Sequence, residues 1–236
     1  MALSTIPKDS ITADAIDGTK IADDAINSEH YTDGSIDTAH IGDNQVTAAK
    51  ATGVGNLVKI GTVATDNSNV SALTIDNCFS STYDSYRIVG YHNLTTGGAH
   101  QYFRWRTGGA SGSSYTTANY MWINHGYYLL TNNNAGTYIN KNGAQDTGRL
   151  ASDVKSDGNS AYLNFDLIVS DPTTSTMSRA MVTGTSTVRQ NTDYRFTAHH
   201  VGITNDADVN ATGFQLTVST GNISYGRVTV YGLVHA

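Results

Sequence analysis

From Ile6 to Val46 a large apolar side chain recurs at every fifth position: Ile6, Ile11, Ile16, Ile21, Ile26, Tyr31, Ile36, Ile41 and Val46. Between them the chain is almost entirely Asp, Ser, Thr, Ala, Gly and Asn. That period matches neither the 3.6 residues of an α-helical turn nor the 2.0 of a strand. With one apolar side chain in five, the segment cannot bury a core alone. It must coil on itself or share its isoleucines with other copies, and either way the pattern predicts a rod.

The position before each apolar residue runs Ser10, Ala15, Lys20, Ala25, His30, Ser35, His40, Gln45, so small residues mostly alternate with long or basic ones. The unit is therefore close to ten residues, built from two pentads. Asp17-Gly18 and Asp33-Gly34 supply tight-turn chemistry, and predict a short extended piece around each isoleucine, then a bend. A coiled coil requires a 3.5-residue period and is excluded. A single-chain solenoid would place Asp9, Asp14, Asp24 and Glu29 where small residues are wanted, burying charge. Three parallel chains, with Ile6 to Val46 meeting in layers on a threefold axis, keep the acids outside, and this arrangement is favoured. In it His30 and His40 would form rings of three able to hold an ion, although the plainer reading is of partly exposed spacers.

Beyond about Asn56 the pattern changes to alternation. Strands are expected at Leu57–Ala64, Val70–Ile75, Tyr86–Leu94, Gln101–Thr107, Ala161–Ser170, Arg179–Gly184, Tyr194–Thr204, Phe214–Ser219 and Arg227–Val234. Phe103 and Trp105 should face inward, with Tyr102, Arg104 and Arg106 on the other side. Gly- and Asn-rich connectors separate these runs at Thr107–Ser114, Asn132–Gly136 and Lys155–Ser160. The expectation is an all-β chain: a fibrous trimeric stalk of five-residue repeats, then an antiparallel β-sandwich or jelly-roll-like domain. Residues 1–7 are read as a docking segment, 8–52 as stalk and 53–236 as body.

Composition supports this division. Glutamate occurs once, at Glu29, and prolines number 2, a balance that suits short strands and turns over helices. Cys78 is the only cysteine, so no intrachain disulfide framework exists. Neither a membrane-spanning apolar run nor a signal-peptide pattern is present, which predicts synthesis in a cytoplasm and no membrane insertion. Residues 1–50 hold nine acids against three lysines, which accounts for the whole net charge of −6, while the remainder is balanced. Neither part offers the basic face that phosphate contacts need, so nucleic acid is not an expected partner.

The densest candidate chemistry lies between Tyr115 and Tyr128. Tyr115, Tyr120, Trp122, Tyr127 and Tyr128 offer flat apolar faces suited to stacking on a sugar, with Asn119, Asn124 and His125 available for its hydroxyls. The competing reading places some of these rings in the core or at a subunit interface. His199 and His200 are adjacent on an expected strand and so point to opposite faces. No metal-spaced cluster occurs, and no cofactor is expected. Glycoside cleavage calls on a pair of carboxyl groups, and the body's aspartates lie mostly in turn-like contexts. With no Gly-x-Ser-x-Gly elbow either, the chain reads as non-enzymatic.

The rhythm of Asp14-Ala15-Ile16-Asp17-Gly18-Thr19-Lys20-Ile21-Ala22-Asp23 resembles the stalk repeats of bacteriophage tail fibres, marine phages especially. Phe79-Ser80-Ser81-Thr82-Tyr83-Asp84-Ser85-Tyr86-Arg87-Ile88-Val89 and Gly226-Arg227-Val228-Thr229-Val230-Tyr231-Gly232-Leu233 are similar to the β-rich tips of such fibres. The resemblance implies a homotrimer on the virion, docked to other virion proteins by its N-terminus, with a distal domain meeting the host surface; it names no receptor, and host surface polysaccharide is expected from the aromatic segment alone. A capsid fibre, decoration or connector of purely structural role is the alternative it leaves open.

Overall fold

The computed structural model describes residues 10–12, 15–17, 19–22, 25–26, 28–37, 39–42, 45–46, 57–117, 120–129, 134–154, 163–173, 181–189, 196–205 and 209–233. Contacts divide the chain into two units, Met1–Val54 and Gly55–Ala236.

In the first unit the pentad is a turn repeat. The amide before six of the apolar residues donates to the carbonyl three positions back: Ala15 to Thr12, Lys20 to Asp17, Ala25 to Ala22, Ser35 to Thr32, His40 to Asp37 and Gln45 to Gly42. Gly34, at φ +80°, takes the left-handed position that one of these turns requires. Asp17 fixes its own turn by accepting bonds from the Thr19 amide and hydroxyl, while Lys20 Nζ lies 2.8 Å from its other oxygen. Lys20 foremost, with Thr19, lowers the Asp17 carboxyl from its ordinary value. A 3-10 turn covers Ser28–His30. The described apolar side chains from Ile11 to Val46 are between 36% and 56% exposed in the single chain. Ile6 and residues 1–7 lie outside the described residues.

The second unit is all-β, with two antiparallel sheets. Its strands are β1 (Leu57–Val70), β2 (Ala72–Ile75), β3 (Ser85–Leu94), β4 (Ala99–Thr107), β5 (Ser113–Ser114), β6 (Tyr120–Leu129), β7 (Ala135–Gln145), β8 (Gly148–Val154), β9 (Leu163–Ser170), β10 (Met181–Arg189), β11 (Phe196–Asn205), β12 (Gly213–Val218) and β13 (Ile223–Leu233). Eight form sheet one, in the order β1-β13-β3-β9-β10-β11-β6-β7. Five form sheet two, where β2-β12-β4 continues into β5 at one end of β4 and β8 at the other.

One core lies under both sheets, consistent with a β-sandwich. On β9 the buried Leu163, Phe165, Leu167 and Val169 alternate with more exposed neighbours. On β4, Gln101, Phe103 and Trp105 are fully buried and Tyr102, Arg104 and Arg106 are not, which is the expected alternation. Phe103 stacks on Phe214 of β12 at 5.8 Å and meets Trp105 edge-on at 4.8 Å. Phe79 and Tyr86 add a further edge contact at 4.7 Å, and the Tyr86 hydroxyl accepts from the Ser80 amide and donates to its carbonyl. Such aromatic pairs bury large areas and favour these offset geometries.

Five strands depart from the expected set. β5 to β8 occupy a stretch read largely as a binding segment and connectors, and β1 runs on to Val70 instead of stopping at Ala64. Asn67 and Asn69 adopt positive φ within it, where β1 shifts register against β13. Asparagine tolerates that region better than most residues. Among the described residues no helix is long and apolar enough to cross a membrane.

Candidate functional site

Strand pairing decides where the aromatic residues between Tyr115 and Tyr128 point. From Tyr120 onward the segment is β6, a strand between β11 and β7. Alternation along β6 splits the candidate residues into two sets. Tyr120, Trp122 and Asn124 are buried, paired with Asn205, Ile203 and Val201 of β11. His125 and Tyr127 lie on the opposite face, rings 6.0 Å apart. Tyr128 is half-buried over Gly136, where an added Cβ would meet its phenol at 2.5 Å. Tyr115 packs on the core and meets Tyr120 edge-on at 6.1 Å. Asn119 lies outside the described residues, as does the side chain of His199; His200 is exposed.

Tyr120 is therefore a structural residue. Its hydroxyl donates to the Tyr115 carbonyl and accepts from the Trp105 amide, and burial raises its pKa well above the usual phenol range.

Among the described residues, two concave surfaces adjoin β6. The first is the outer face of β6, β7 and β11, where Met121, Ile123, Tyr127, Leu129 and Ile139 are all exposed. It includes a groove of 610 Å³ lined by Met121, Ile123, Lys141, Gly143, Gly202 and Thr204. The glycines remove side chains that would otherwise fill it. This face inverts the usual alternation: apolar residues point out while Asn124 points in with neither amide atom hydrogen-bonded.

The second surface is a cleft of 260 Å³ bordered by β4, β8, β12 and the β7–β8 turn, with Trp122 of β6 on its wall. Register builds it, because Thr217, Tyr102 and Arg149 stand directly opposite one another on β12, β4 and β8. Residues so paired share one face of a sheet. Arg104, two places along β4, points the same way and reaches Asp146 of the turn at 3.0 Å. The Arg149 guanidinium lies 4.7 Å from the Trp122 ring centroid and 5.8 Å from that of Tyr102, within cation–π range of both. Gln145, Thr217 and Ser219 add hydrogen-bonding groups to the lining. The volume falls just under the roughly 300–1,000 Å³ of drug-sized sites, which is room for one small polar ligand.

Of the cleft's residues only Trp122 was singled out from sequence. Tyr102, Arg104 and Arg106 were legible as a solvent-facing row, but Arg149 sits on a strand without an alternating pattern to announce it. Among the described residues no group of three His, Cys, Asp or Glu could hold a metal ion. No protein-family model and no curated protein matches the chain.

Proposed function

We propose that this chain is a virion fibre protein, a homotrimer whose pentad segment is a stalk of three parallel chains and whose β-sandwich body attaches to a host-surface glycan. The observation that carries the reading is the exposed apolar row of the pentads. Eight described side chains from Ile11 to Val46 remain open to water in the single chain, and a regular row of that kind calls for cover by identical rows. These side chains are already partly covered, so shielding the rest of one is worth about half of the roughly 1.5–3 kcal/mol of a full burial, and the row as a whole still favours self-association. The resemblance of the repeats to phage fibre stalks supplies the biological setting.

Within the body the cleft beside Tyr102, Trp122 and Arg149 is the favoured attachment site. It combines aromatic surface with amide and hydroxyl groups, the pairing that sugar recognition uses. Three copies would turn weak single contacts into useful avidity. Its lining includes one carboxylate, Asp146, already engaged by Arg104, whereas glycoside hydrolysis usually employs two. The reading is accordingly of binding without cleavage.

Glycan-array and whole-cell binding by the purified chain test this, with Tyr102→Ala as the probe of the cleft. Binding that Tyr102→Ala abolishes, in a protein of unchanged molar mass, supports attachment through the cleft. A chain that binds no glycan and no cell refutes it. The apolar outer face of β6 and β7 favours one second reading, a connector or decoration that binds protein, which imaging of the assembled particle would reveal by a body with no free end.

A further inference from the structure

The outer face of sheet two carries three arginines with unequal partners. Arg106 grips Asp76 through Nε and Nη2 and also reaches Ser114 and the Gly112 carbonyl. Arg104 holds Asp146 through its side chain and its carbonyl. Arg149 has neither kind of match. Its one hydrogen bond among the described residues is a long 3.5 Å contact to Ser152, its Nε is buried with no partner, and no described carboxylate pairs with it.

Desolvating a guanidinium without a counter-charge is costly, because its donors lose water and gain nothing in exchange. Here the Trp122 and Tyr102 rings lie within cation–π range of the guanidinium, and the side chain lines the cleft. A planar cation fixed between aromatic faces has lost its freedom before any ligand arrives, so an incoming carboxylate meets a preorganised fork of donors. Around it, Gln145, Thr217 and Ser219 can bond hydroxyl groups, and the Tyr102 ring offers an apolar face. Asp146 is committed to Arg104 and leaves Arg149 uncompensated.

We propose that the cleft binds an acidic sugar, a uronic-acid type residue whose carboxylate pairs with Arg149 while its hydroxyls meet Gln145, Thr217 and Ser219. The inference rests on the reading of the body as a glycan binder and names the class of glycan. It also places the specificity: a neutral sugar leaves the Arg149 nitrogens unpaired, and a bare anion leaves the hydroxyl-binding groups unused.

The test is an NMR titration of the full chain with D-glucuronate, D-glucose and acetate at matched ionic strength, following the Trp122 indole. Glucuronate should shift that resonance saturably and bind roughly tenfold or more tighter than glucose, the size of one charge-assisted hydrogen bond. Arg149→Gln should bring glucuronate down to the level of glucose. Arg149→Lys, which keeps the charge and loses the fork, should fall between. Equal binding of glucose and glucuronate, or undiminished glucuronate binding by folded Arg149→Gln, overturns the acidic-sugar assignment and leaves glycan attachment standing. Acetate binding as tightly as glucuronate makes this a bare-anion site and overturns it too. If no sugar shifts the indole while the chain still binds cells, the cleft assignment fails alone; if cells are not bound either, the attachment reading fails with it.

Discussion

The Tyr120 hydroxyl accepts a hydrogen bond from the backbone amide of Trp105 at 2.8 Å. Tyr120 belongs to β6 in sheet one and Trp105 to β4 in sheet two, so this bond ties the sheets together through the core. Tyr120→Phe keeps the ring and orphans a buried amide, which costs about 1–3 kcal/mol. Urea unfolding of the variant should show that loss, with binding per folded molecule unchanged. Altered binding at full stability would return Tyr120 to the list of ligand contacts.

His92 should make the body acid-sensitive. It is fully buried on β3, beside Phe165 at 6.0 Å, and neither ring nitrogen has a hydrogen-bond partner. Burial lowers its pKa to about 4 from an ordinary 6.5. The folded state thus keeps His92 neutral where the unfolded chain takes up a proton, and stability falls as pH drops from about 6.5 towards 4. Below that the folded form is protonated too and this contribution levels off. The full loss is on the order of 3 kcal/mol. His92→Leu isolates the histidine: its unfolding free energy should vary less between pH 7 and 4 than that of the parent chain. Parallel pH profiles would show that the imidazole is not the cause.

What the sequence disclosed follows from how regular each pattern was. Of the extended pieces and bends expected in the pentads, the bends appear as repeated turns, and β9 and β4 declared themselves because apolar residues alternate along most of each. β6 did not, since its buried side includes Asn124 and its exposed side carries Met121, Ile123, Tyr127 and Leu129. With both faces apolar in part, the period-2 signal cancels and only the aromatic content stands out. β7 is polar, with glycines at 136 and 143, and β8 is a sheet-edge strand whose pairing with β4 shifts register. The cleft was hidden for the same reason. Arg149 and Tyr102 become neighbours only through the β4–β8 pairing, 47 residues apart in the chain.

Cys78 should be chemically silent in the folded body. It is 3% exposed, its Sγ points to the Ile75 carbonyl at 3.5 Å, and burial pushes the thiol up to about 12. Thiolate is the reactive form, so an aromatic disulfide reagent at pH 8 should leave the native chain unlabelled and react at one site per chain in denaturant. Fast labelling without denaturant would mean that the segment between β2 and β3 opens readily.

The apolar row of the pentads should set the assembly state. In a threefold stalk the three copies of Ile16, Ile21 and Ile26 meet in layers, and an aspartate in such a layer brings three carboxylates together away from water. The double substitution Ile16→Asp and Ile26→Asp should therefore convert a particle of three chains into single chains in light scattering. The body should keep its native unfolding transition, because Gly55–Ala236 has its own core. A single-chain solenoid predicts otherwise: a parent of one chain, with the substitutions changing local structure alone. Substituting Ile123 and Leu129 with Ser on the outer face of the body gives the complementary measurement. If that face also lies between copies, the trimer should dissociate at higher protein concentration than the parent; if it meets another virion protein or solvent, the dissociation curve should not move.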